Sequence, residues 1–184
     1  WSSDVCSSDL LNGAKIQYCF PIHDLSDEEI KILNVFNSRF GDGISSILFD
    51  EIRTKNGLVY DIRSYIKNEN GIKLFTITLG TSKDNVEKAI NLINKNIENI
   101  KSRKGIFTEE CINDIIKSVN LKRELSLERS IELSKRIVTE KIMFHTTKGV
   151  FEGIVKNHTI NENTILNLIS KVLKNPSIQV LMPE

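Results

Sequence analysis

The chain has 184 residues, 40% of them hydrophobic, with 25 basic side chains against 24 acidic ones and a formal charge of +1. That length suits one domain with a sizeable core. Lysines interspersed with glutamates form no basic stripe and argue against a nucleic-acid partner, and no run approaches the roughly 20 apolar residues that cross a bilayer, which argues against a membrane anchor.

Residues 1–10, "WSSDVCSSDL", back-translate as TGG AGT TCA GAC GTG TGC TCT TCC GAT CT, a common sequencing adapter. They are read as non-native and set aside. The domain is then expected over 11–184, with the native amino terminus upstream. Residues 14–20, "AKIQYCF", alternate in polarity, with Ala14, Ile16, Tyr18 and Phe20 on one face, and predict a half-buried strand. Ser26 and Glu29 form a capping box ahead of Ile30, Leu33, Phe36 and Phe40, which predicts a helix over 27–40. Gly41 and Gly43 interrupt it. Ile44, Ile47, Leu48 and Ile52 then predict a short second helix that stops at Asn56-Gly57.

Residues 58–66 and 72–79 read as two antiparallel strands joined by "KNENG". Val86, Ile90, Ile93, Ile97 and Ile100 mark a helix capped by Ser82 or Thr81. Thr108 opens another, and a long polar-faced helix is expected through Leu125, Ile131, Ile137 and Ile142. Gly149 and Gly153 punctuate the chain after it. Thr159 and Glu162 suit a capping box for a helix bearing Ile165, Leu168, Ile169 and Val172, and Pro176 precedes a last strand, "IQVLM". This order predicts an α+β fold with helices packed on one face of an antiparallel sheet.

The chemistry is sparse. No H-x-x-E-H or H-E-x-x-H occurs, so no metal site is expected in this chain, and His23, His145 and His158 read as surface or turn residues. Cys19 and Cys111 form no C-x-x-C and read as packing residues. Gly41-Asp42-Gly43 with Ser45 and Ser46 has the glycines of an anion cradle but not the P-loop lysine, so a turn capped by serine is the simpler reading; a nucleotide-binding module is the reading it leaves open. Arg53 and Tyr60 flank one abrupt reversal. They suit either a shared outward patch or two separate roles, Arg53 at a helix carboxyl end and Tyr60 packed in the sheet.

"FGDGISSILFDEIRTKNGLVYDIRSY", residues 40–65, resembles the signature of the carboxy-terminal halves of pitrilysin/insulinase-like (inverzincin) zinc peptidases, whose glycine-rich turn leads through S-S-x-L-F-x-E-[IL]-R to G-L-x-Y. Asp42 departs from the glycine often found there. The resemblance extends over residues 11–184 and implies a half-domain of the pitrilysin/mitochondrial-processing-peptidase type, the zinc-free half of a metalloendopeptidase that hydrolyses peptides in a closed chamber. It implies Arg53 and Tyr60 as substrate-binding residues, with Tyr60 supporting the transition state and no catalytic residue in this chain. Zinc would be held by an amino-terminal domain or a partner subunit, the assembly is expected to be a dimer, and this chain alone is expected to be inactive. The alternative is a non-catalytic structural or binding homologue. The abundance of Ile, Asn and Lys suits an A/T-rich bacterial genome, and a cytoplasmic location is expected.

Overall fold

The structure is a computed structural model that describes residues 13–151 and 160–182. Residues 1–10, Gly153, His158 and Thr159 lie outside the described residues. Four strands form one antiparallel sheet: β1 (Ala14–Pro21), β2 (Val59–Glu69), β3 (Ile72–Thr81) and β4 (Ser177–Leu181), in the order β2-β3-β1-β4. The alternation in β1 does what its pattern predicts: Ala14, Ile16, Tyr18 and Phe20 are buried while Lys15 is exposed. Register places Ile62, Leu79, Ile16 and Val180 in one row across the inner face. The β2-β3 hairpin turns at Gly71, whose φ of +85 is the left-handed conformation that glycine adopts freely.

Helices α1 (Asp27–Phe40), α2 (Val86–Ser102), α3 (Glu109–Leu127) and α6 (Glu162–Val172) contribute core residues against this inner face. Phe36 anchors the packing, with ring centroids 4.7 Å from Phe40, 5.9 Å from Phe107 and 6.0 Å from Phe75. Helix α4 (Ser130–Phe144) has no buried residue, and α5 (Lys148–Phe151) is a single turn. Arg123 of α3 donates to the carbonyls of Gly149 and Val150, tying α5 down. The α+β architecture with helices on one sheet face is therefore as predicted.

Several local expectations are corrected. The short second element is a π-helical segment, Phe49–Thr54, and Ile44 is 80% exposed instead of lying on an apolar helix face. Neither Ser82 nor Thr81 caps α2 through its side chain; Ser82 precedes a 3-10 turn (Lys83–Asn85), and the Thr81 hydroxyl donates to the Leu58 carbonyl. The helix expected through Leu125 and Ile142 is two helices, broken at Glu128-Arg129. Helix α6 is capped by Asn161 with Thr164, while Glu162 instead accepts from the Gly105 and Phe107 amides. The Ser26–Glu29 capping box and the Thr108 cap form as predicted.

One close approach fixes α1 on the sheet. The Ser64 amide donates to Gly41 O at 2.9 Å, and the Ser64 hydroxyl donates to Asn37 Oδ1 at 2.6 Å. A Cβ on Gly41 would lie 2.1 Å from Ser64 Oγ, 2.8 Å from its Cβ and 3.0 Å from its N. Gly41 has φ of −149, so clearance and not backbone freedom demands the glycine. Gly41→Ala is expected to destabilise the fold by about 1–3 kcal/mol in chemical denaturation, as overpacking does, and Ser64→Ala is expected not to rescue it, since the Cβ and the amide of residue 64 still obstruct.

Tyr18 provides a pH signature. It is fully buried, donates to Asn94 Oδ1 at 3.1 Å and Ile90 O at 3.3 Å, and burial pushes its pKa up to about 12. An unfolded tyrosine ionises near ~10. The folded state thus holds the phenol proton more tightly, and the stability this gives is complete below about pH 10 and lost as pH climbs towards about 12. Urea midpoints measured across that window should fall more steeply for the wild type than for Tyr18→Phe, which has no phenol to ionise.

Candidate functional site

Arg53 and Tyr60 each follow directly on a buried anchor. Ile52, fully buried, seats the π-helical segment in the core, and Val59, 5% exposed, seats the start of β2. Between them the Lys55 amide donates to Asp50 O at 2.9 Å and the Gly57 amide to Arg53 O at 3.0 Å, with Gly57 at φ +61 closing the turn. Further upstream, the Ser46 hydroxyl accepts from the Phe49 amide at 3.4 Å, so a serine does cap the segment that follows the Gly41–Gly43 turn.

The guanidinium of Arg53 lies over the Phe49 ring, 4.8 Å from its centroid. Its acidic neighbours are already engaged: Lys55 bonds Asp50 at 2.9 Å and Glu51 at 2.8 Å. These two contacts, Glu51 first, raise the Lys55 pKa. Arg53 is exposed and its side chain makes no hydrogen bond or ion pair among the described residues, which leaves its donor fork free.

Alternation turns Tyr60 outward after the buried Val59, and a backbone irregularity there keeps Asp61 outward too. Val59 pairs with Thr81 and Asp61 with Gly80, so Tyr60 is the extra residue of a β-bulge. A bulge re-aims side chains; here Val59 and Ile62 point inward while Tyr60 and Asp61 are both exposed, Tyr60 by 65%. A Cβ placed on Gly13 would be 3.6 Å from Tyr60 Cε2, which locates the ring beside the start of β1. Both candidates are thus outward, on the two arms of one reversal. No hydrogen bond or ring contact joins them among the described residues; the guanidinium stacks on Phe49.

The remaining candidates stay apart. His23 is exposed in a turn and His145 ends α4 in a left-handed conformation, φ +57. Cys19 and Cys111 are half-buried and not core residues: Cys19 faces the outer side of the sheet, and Cys111 sits in the first turn of α3. Among the described residues no three His, Cys, Asp or Glu side chains converge, so they offer no donor set that fits zinc. No described helix is long and apolar enough to cross a membrane.

The outer sheet face, which the sequence reading did not single out, adds polar groups next to Tyr60. Register aligns Asp61, Gly80 and Lys15 in one row and Arg63, Thr78 and Gln17 in the next. They line a shallow cavity of about 450 Å³. The only sequence signal for it was the polar half of each strand's alternation.

Relatives share this frame. An uncharacterized zinc protease of Streptomyces coelicolor is 24% identical over 159 residues, covering 86% of this chain and 34% of its own length. One of Bacillus subtilis is 30% identical over 90 residues, covering 49% and 22%. The chain therefore spans about a third or less of the length of these relatives. The crystal structure of an inactive peptidase domain from Bordetella parapertussis superposes with a TM-score of 0.78 at 11% identity, over 94% of this chain and 93% of that one. Residues 2–119 match the family described as the peptidase M16 inactive domain, and the chain belongs to that family.

Proposed function

We propose that this domain is the substrate-binding, chamber-forming half of a zinc peptidase, acting on peptides hydrolysed at a centre carried by another domain or a partner subunit. The observation that carries this reading is the exposed pair itself: Arg53, with its donors uncommitted, and Tyr60, outward at a bulge, on the two arms of one turn. Membership of the inactive-domain family, relatives named zinc proteases and a chain spanning a third of the longer of them support it.

The roles follow from the groups. A guanidinium offers a rigid fork of charge-assisted donors to the carbonyl oxygens of an extended peptide. Stacking on Phe49 restrains its swing, so less freedom is lost when the peptide binds. A phenol hydroxyl donates one hydrogen bond to the carbonyl oxygen that gains charge as the peptide bond is attacked. This chain's own residues thus bind, orient and stabilise charge, and the attacking group belongs to the other half.

In the full-length protein, with its zinc-bearing half, Tyr60→Phe should lower kcat by about 10²-fold, the scale of losing one oxyanion donor. Arg53→Ala should raise KM by about 10-fold or more, the scale of a lost charged hydrogen bond. Zinc content, read by metal analysis, should stay at the wild-type level in both. Unchanged kinetics in both variants would remove this role from Arg53 and Tyr60, and a full-length protein without turnover would be a structural or binding homologue.

A further inference from the structure

Gly80 is the next-to-last residue of β3 and pairs with Asp61, directly opposite the β-bulge at Tyr60. Its φ is outside the left-handed range, and a Cβ built on it meets nothing within 4 Å. A strand glycine marks a bulge or a close approach of another backbone; the bulge lies opposite, and the open space over Gly80 leaves room for a backbone as well.

The surroundings say what approaches. Gly80 is the floor of the outer-face cavity, with Lys15 on one flank and Asp61 on the other, about 10 Å apart across two strand spacings. Arg63 stands one row along, next to Thr78. Lys15, Asp61 and Arg63 are exposed and make no hydrogen bond or ion pair among the described residues, so the trough holds two uncommitted cations and one uncommitted anion. It leads to Tyr60, which adjoins Asp61 in the chain and whose ring lies beside Gly13, two residues before Lys15.

We propose that the trough over Gly80 receives an extended segment of the peptide that reaches Tyr60, and that Lys15 and Arg63 select an acidic side chain in that segment. This rests on the substrate-binding reading above and adds a subsite and a charge preference to it. Gly80 supplies clearance for the peptide backbone, and Asp61 opposes a second acidic group on its own flank.

The test uses full-length protein in EDTA, so that bound peptide is not cleaved, and follows the fluorescence anisotropy of a labelled alanine-rich peptide with one central Glu, beside its Ala and Lys counterparts. The wild type should bind the Glu peptide most tightly. Gly80→Val should weaken all three by about 10-fold without lowering the melting temperature, since a Cβ at that position meets nothing within 4 Å. Lys15→Glu combined with Arg63→Glu should reverse the order, weakening the Glu peptide by about 10-fold and strengthening the Lys peptide. Absence of wild-type binding, or retention of its order and affinities in both variants, overturns the proposal. Because the readout is binding without turnover, it fails independently of the Arg53 and Tyr60 kinetics.

Discussion

The place where α1 meets β2 sets the position of everything the site uses. Gly41 comes close enough for its carbonyl to accept from the Ser64 amide at 2.9 Å, and Asn37, one turn earlier, accepts from the Ser64 hydroxyl. Helix α1 is thereby fixed to the middle of β2 by backbone contact and not by side-chain packing alone. The chain leaving Gly41 must then return to the start of the same strand within a short span. Leu48 and Ile52, both fully buried, pin that return against the core. The location of the reversal is settled by packing before any functional side chain is considered.

Within that frame two irregularities flank the reversal. Alternation alone turns Tyr60 outward after the buried Val59. The π-helical segment spans Arg53, and the extra residue at Tyr60 keeps Asp61 outward too while Ile62 returns to the core. Both Ile52 and Val59 stay buried while their successors face solvent. Lys55 completes the arrangement electrostatically. It pairs with both Asp50 and Glu51, the carboxylates that precede Arg53 in the chain.

What the sequence revealed follows the strength of local rules. Reciprocal caps and strict alternation bind the backbone directly, and Ser26–Glu29 and β1 are legible for that reason. A π-helix uses the same apolar residues as an α-helix, so the spacing of Ile47, Leu48 and Ile52 does not distinguish them. A bulge has no fixed composition, and Val59-Tyr60-Asp61-Ile62 reads as an ordinary strand. The break between α3 and α4 carries neither glycine nor proline, and β4 is apolar in sequence yet exposed along its length because it lies at the sheet edge. Arg53 and Tyr60 came from the family signature, while the bulge that puts Asp61 outward beside Tyr60 is not encoded in composition.

The two glycines at 41 and 80 differ in what an added methyl would meet. Each lies outside the left-handed φ range, so neither is kept for conformational freedom. At 41 an added methyl collides with the backbone and side chain of Ser64, and the intramolecular contact accounts fully for the residue. At 80 the same methyl meets open space, near the end of β3 and opposite the bulge at Tyr60. The bulge is one reason for a glycine there, and the open space above it leaves room for a backbone from outside the domain. The outer face of this sheet, polar, shallow and continuous with Tyr60, is where such a contact has room to form.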